Sequence, residues 1–127
     1  MNSAHTTRAQ ALDWLAGQGP AMQDFLQQLV NIDSGSRDEA GVTAVAQAIA
    51  SHLAGAGITA QLETVPGYGS NLRADVPGTA GGAPILLTGH MDTVYPQGTV
   101  AQRPFRMAEG RAYGPGVDDM KAGLVLN

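Results

Sequence analysis

The chain has no cysteine among its 127 residues, so disulfides, thiolate metal sites and a cysteine nucleophile are all excluded. Basic residues are few, seven in all and scattered singly from Arg8 to Lys121, and the formal net charge is −4. No basic patch exists to track a phosphate backbone, which argues against a nucleic-acid partner. Long hydrophobic runs are missing as well, since the longest span four or five residues and a membrane helix needs about 20. The first twenty residues hold one Arg and no continuous apolar stretch, so no signal peptide is read and a cytoplasmic location is expected. Charge as a whole is scarce at 14%, against a hydrophobic fraction of 43%. Such a chain can fill a core, but it is poor in the surface charge of a free-standing domain.

What the sequence does contain is a change of period along its length. Residues 8–16 read as a short helix closed by Gly17, Gly19 and Pro20. From Pro20 onward Met22, Phe25, Leu26, Leu29 and Val30 fall at helical spacing. A polar loop, 33–38, leads to a helix over 39–54 with Val42, Val45, Ile49 and Leu53 on one stripe. The pattern then alternates, predicting strands at 58–65 and 71–76, a flexible turn at 78–82, and a short strand at 84–88 buried on both faces. Residues 105–107 and 112–113 flank AEGR as a hairpin, and Met120–Asn127 reads as helical without a stop signal. This order predicts a layered α/β domain.

Two clusters carry chemistry. His90 and Asp92 follow the 84–88 strand two residues apart, so that in extended geometry both side chains lie on one side. An imidazole can then face a cation from one nitrogen while a neighbouring carboxylate orients the ring. Alone, an HxD pattern is more often a solvated loop pair. The second cluster, YGPGVDDMKAG, sets Asp118, Asp119 and Lys121 between a Gly-Pro-Gly turn and an apolar helix. Helix capping accounts for one aspartate, whereas two beside a lysine fit a metal site better. Lys121 is read as a salt-bridge partner of the aspartates. His52 reads as a partly exposed helix residue and His5 as part of a frayed terminus. Trp14 with Leu12 and Leu15 reads as packing, and Tyr95, Phe105 and Tyr113 as supports of the site loops.

GHMDTVYPQGT followed by PFRMAEGRAYGPGVDDMKAG resembles the zinc exopeptidase family of glutamate carboxypeptidases, aminoacylases, dipeptidases and succinyl-diaminopimelate desuccinylases. LVNIDSGSRDEAGV and HLAGAGI add to the likeness, which covers the chain from about Pro20 and is greatest toward the glutamate carboxypeptidase branch. The resemblance implies a three-layer α/β/α catalytic domain, with 1–19 as an N-terminal helical extension and 20–127 as its first part. It implies His90 as a zinc ligand, Asp92 as the residue orienting that histidine, Asp119 as the carboxylate bridging two zinc ions, and a cis peptide at Asp119–Met120. A register shift of one would exchange Asp119 with Asp118. The family's general base and further ligand come as an adjacent acid pair some thirty residues after the bridging aspartate, and this chain's only glutamates are Glu39, Glu63 and Glu109, none adjacent to another. The expectation is therefore a fragment, inactive alone, of a homodimeric hydrolase acting on a small peptide or N-acyl amino acid. A non-catalytic module that binds metal weakly is the alternative.

Overall fold

Gly17, Gly19 and Pro20 divide the N-terminal region into two helices, in a computed structural model that describes residues 3–78 and 81–127, with side chains from Thr7 onward. The first, α1 (Ser3–Ala16), starts before the expected residue 8 and ends where the amides of Gly17 and Gln18 return to the carbonyls of Trp14 and Leu15 at 3.0 Å. Its apolar residues are spread around the helix rather than gathered on a stripe, so it has no face to bury. Leu12, Trp14 and Leu15, expected to pack, are accordingly exposed. The side chain of His5 lies outside the described residues.

In α2 (Gly19–Val30) Pro20 occupies the first turn, where its missing N–H has no intrahelical partner to lose. The apolar stripe faces inward and buries Phe25, Leu29 and Val30. The next helix, α3 (Glu39–Gly55), is capped by Asp38, whose carboxylate accepts the Gly41 amide at 2.9 Å. Val42, Val45 and Ala46 of α3 are buried, and His52 stacks on Phe25 with ring centroids 4.0 Å apart. Phe25, Leu29 and Val45 form the centre of the core, joined by Ile32, Ala48, Ile49, Met91 and Val125. Gly41 sits where α3 passes directly beneath the preceding loop, and a Cβ there would collide with the Asp33 carbonyl oxygen.

The strands β1 (Ala60–Val65) and β2 (Gly69–Ala74) pair antiparallel, Ala60 opposite Ala74, and pack on α3. The second begins two residues before the expected 71, because the tight turn at 66–68 leaves Gly69 already paired with Val65. After α4 (Thr99–Gln102) come β3 (Arg106–Ala108) and β4 (Arg111–Tyr113), an antiparallel hairpin. Its turn residues Glu109 and Gly110 both have positive φ, 51° and 73°, the geometry that matches strand twist in a two-residue turn. A single wide turn, Val117–Lys121, is broken by non-helical backbone at Asp119 and Met120, and α5 (Ala122–Leu126) follows. The Asp119–Met120 peptide is cis, as the family resemblance implies. Thr79 and Ala80 of the expected turn at 78–82 lie outside the described residues.

One expectation fails. Residues 84–88 form no strand, and Ile85, Leu86 and Leu87 are 89%, 84% and 61% exposed. A strand buried on both faces needs a paired neighbour and a covering layer on each side. Among the described residues neither sheet has more than two strands, and none pairs with this segment. The architecture is thus a mixture of helices and small antiparallel sheets, without a three-layer arrangement among the described residues. The surface is correspondingly large: 9016 Å² for a 13.0 kDa chain, where a folded monomer of that mass exposes about 6,300 Å².

Candidate metal centre

The loop between α2 and α3 holds the loop that carries His90. Thr93 donates its amide to the Ser34 carbonyl at 2.7 Å and accepts the Ser36 amide at 3.0 Å, a short parallel bridge centred on Gly35 and Thr93. The buried Ser34 hydroxyl donates to the Met91 carbonyl at 2.9 Å. Gly35 permits the approach, since a Cβ would lie 2.8 Å from the Tyr95 carbonyl oxygen. Asp33 completes the clamp by accepting the amides of Gly98 at 2.7 Å and Val100 at 2.9 Å.

On this frame the structure brings together three of the residues singled out by sequence. His90 Nε2 lies 2.8 Å from Asp119 Oδ1, while its Nδ1 lies 3.1 Å from Asp92 Oδ1 and 3.0 Å from the Asp92 carbonyl. The other Asp92 oxygen accepts the Ser36 hydroxyl at 2.5 Å. The hydrogen bond to Asp119 raises the His90 pKa above its ordinary 6.5, with the negative charges of Asp92 and Asp119 adding to it against the desolvation that opposes. The Ser36 hydrogen bond chiefly lowers that of Asp92, with the charge of His90 assisting. Both His90 and Asp119 remain open to solvent, their side chains 47% and 83% exposed. Asp118 is exposed on the same groove and makes no hydrogen bond to His90.

Lys121 departs from expectation. It is fully buried and turned away from both aspartates, with Nζ donating to the carbonyls of Leu29 at 2.9 Å and Ile32 at 2.8 Å. The Leu29 carbonyl belongs to the last turn of α2, whose carbonyls a helix cannot satisfy internally, and the Ile32 carbonyl to the loop just after it. The non-helical backbone at 119 and 120 is what sends Asp119 outward and Lys121 inward within three residues.

The His90–Asp119 pair stands in an open groove of about 410 Å³. Tyr95 and Tyr113 line it, with Arg103 and Arg106 stacked on their rings at 4.9 and 4.1 Å, so both tyrosines wall the groove rather than merely supporting its loops. Phe105 is not in the groove wall, and its amide is tied to Asn31 Oδ1 at 2.8 Å. The site residues that sequence reasoning missed are Ser36 and Asp33. The alternation of Ser34, Gly35 and Ser36 beside an aspartate was the available signal, but its partners lie 56 residues and more downstream. Among the described residues no third histidine or acidic side chain converges with His90 and Asp119 into a complete ligand set.

Comparison with known proteins bears on this groove directly. The chain is 39% identical over 106 residues to Carboxypeptidase G2 of Pseudomonas sp. (strain RS-16), an alignment covering 82% of this chain and 25% of that protein. The chain therefore spans about a quarter of the length of that curated relative. Residues 86–127, which include His90, Asp92 and Asp119, match peptidase family M20/M25/M40. That match and the identity to Carboxypeptidase G2 bear out the resemblance carried by the two motifs: the segment that builds the groove is similar to peptidase family M20/M25/M40.

Proposed function

We propose that the groove is part of the active site of a metal-dependent peptidase, in which His90 and Asp119 are metal ligands and Asp92 orients the histidine. The observation that carries this reading is the convergence of His90 Nε2 and Asp119 Oδ1 at 2.8 Å on an open groove, with Asp92 behind Nδ1. The donor set fits zinc, which takes imidazole and carboxylate. A tetrahedral ion with bonds of about 2.0–2.1 Å spaces adjacent ligand atoms by about 3.3 Å. Two solvent-exposed side chains now 2.8 Å apart can separate by that small amount. The family match supports metal dependence, and the likeness to Carboxypeptidase G2 supports a carboxypeptidase. The finer reading is a zinc enzyme with two ions that cleaves a peptide or N-acyl amino acid bond and releases a C-terminal glutamate-like residue.

Held by His90 and Asp119, a zinc ion would supply Lewis-acid chemistry for a scissile carbonyl and for a water of lowered pKa. This chain's residues prepare the site for it. Asp92 is placed to hold a proton on Nδ1, so that Nε2 is the nitrogen left to a cation when the proton it shares with Asp119 is displaced. Asp119 supplies negative charge, and Tyr95 and Tyr113 supply the walls. No glutamate lines the groove, and the Glu39 carboxylate is engaged by the Gly67 amide at 2.7 Å. In this reading the base and remaining ligands come from outside these 127 residues. The same absent portion completes the three-layer domain, covers residues 84–88 and carries the homodimer contacts.

Calorimetric titration with zinc tests the assignment. The 127-residue chain is expected to bind weakly and to show no hydrolysis of acyl-glutamates by itself. His90→Ala and Asp119→Ala should each weaken binding by roughly 10-fold or more. Because a proton and the metal compete for Nε2, binding should strengthen as pH rises through the elevated His90 pKa. Zinc binding of undiminished strength in both variants overturns the ligand assignment.

A further inference from the structure

Asp92 has two carboxylate oxygens, and the structure gives each a separate partner. Oδ1 meets His90 Nδ1, while Oδ2 accepts the Ser36 hydroxyl. We propose that Ser36 is a positioning residue of the metal centre, locking the Asp92 carboxylate so that it holds the His90 ring in the orientation and tautomer that present Nε2 to a cation. The proposal rests on the metal-site reading above only for its purpose. The hydrogen-bond chain itself, Ser36 to Asp92 to His90, stands on geometry alone.

A free aspartate carboxylate rotates about its terminal torsion with little restriction. The shape of the loop does not hold Asp92 still, since its side chain is 37% exposed. Ser36, by contrast, is fixed by backbone. Its amide donates to Thr93 at 3.0 Å, and Gly35 is bridged to Thr93 beside it. The hydroxyl has one proton and two acceptors in reach, Asp92 Oδ2 at 2.5 Å and the Thr93 carbonyl at 3.3 Å. The shorter, charge-assisted bond takes the proton. Asp92 Oδ2 is then occupied, and Oδ1 at 3.1 Å is left to accept from Nδ1–H beside the Asp92 carbonyl at 3.0 Å. An imidazole with its proton on Nδ1 carries its lone pair on Nε2, free for a cation once the proton that Nε2 shares with Asp119 Oδ1 at 2.8 Å is displaced. An outer partner of this kind typically changes metal affinity by about 10–100-fold.

The test is nitrogen NMR of the His90 ring in the metal-free chain, at a pH well above the imidazole's titration, together with zinc titration of the corresponding chains that retain Asp119. The NMR samples carry Asp119→Ala, because the Asp119 carboxylate 2.8 Å from Nε2 competes for the proton; in that background, with Ser36 in place, the proton is expected on Nδ1. In Ser36→Ala the Nδ1–H population should fall, and zinc binding should weaken about 10-fold. Ser36→Thr, which keeps the hydroxyl, should restore both. Ser34→Ala removes a buried hydroxyl of the same loop that does not touch Asp92, so it should lower stability and leave the tautomer unchanged. A shifted tautomer with no zinc binding in any sample supports the positioning role and removes the metal reading. An unshifted tautomer in folded Ser36→Ala overturns the proposal, whatever the zinc affinity. Equal tautomer shifts in Ser34→Ala and Ser36→Ala also overturn it, because they reduce the effect to general loosening of the loop.

Discussion

Gly41→Ala is expected to destabilise the chain by about 3 kcal/mol, although alanine is ordinarily the better helix former by about 1 kcal/mol. The opposing effects are unequal because of where the new methyl would go. It would collide with the backbone carbonyl of Asp33 and lie 2.6 Å from Asp38 Oδ2, the carboxylate that caps α3. A side-chain oxygen can move aside at the cost of the cap, about 1 kcal/mol. A backbone carbonyl cannot move without its loop, and overpacking of this kind costs about 1–3 kcal/mol or more. The loop in question is 33–36, so displacement also loosens the clamp on His90. Urea denaturation reads the first effect and zinc titration the second. Gly55→Ala, at the open end of the same helix with no heavy atom near its added Cβ, provides the contrast and should be neutral or mildly stabilising. Equal stability of Gly41→Ala and wild type would contradict the close approach of α3 and the loop.

Stability should rise with pH in the alkaline range because of Lys121. Burial pushes its ammonium pKa down from 10.5 to about 8, with the Asp33 charge only partly opposing. Between those values the folded chain has released the proton and the unfolded chain still holds it. Unfolding then takes up protons, so stability increases as pH climbs, by up to about 1.4 kcal/mol per unit and about 3 kcal/mol across the window. Below about pH 8 the lysine is charged in both states and the slope vanishes. Other groups titrate in the same range, so the measurement is a difference. Lys121→Met lacks the titration, and the stability of wild type relative to it should improve by about 3 kcal/mol between pH 7 and 11. A pH-independent difference would show that the buried amine keeps its ordinary pKa, its two carbonyl partners compensating for lost water.

The helices were legible because their information is local. The stripe at 22–30 and that at 42–53 each specify a buried face. The HxD pattern and the YGPGVDDMKAG cluster were legible as chemistry, and the fold does bring His90, Asp92 and Asp119 within hydrogen-bonding distance. Ser36 was not legible, because nothing in DSGSRD says that one hydroxyl meets a carboxylate 56 residues later. Lys121 misled for a related reason. Adjacency in sequence suggested pairing with the aspartates, but a break in the helix between them sets the directions of their side chains. Residues 84–88 misled differently. Their composition describes a strand in a sheet, and a sheet is a property of neighbours that composition cannot supply.

That segment also governs how the chain behaves as a material. From Val76 to Met91 there is no Asp, Glu, Lys or Arg, and at its centre Ile85, Leu86 and Leu87 face water on backbone that no ladder protects. An uncharged apolar stretch with open hydrogen-bonding groups is a template for intermolecular strand pairing, restrained here by the prolines at 77 and 84. Solubility of the isolated chain is therefore limited by a few residues that take no part in its core. Excluded cosolutes such as sulfate, which strengthen apolar burial, will drive it out of solution sooner than its net charge of −4 alone implies.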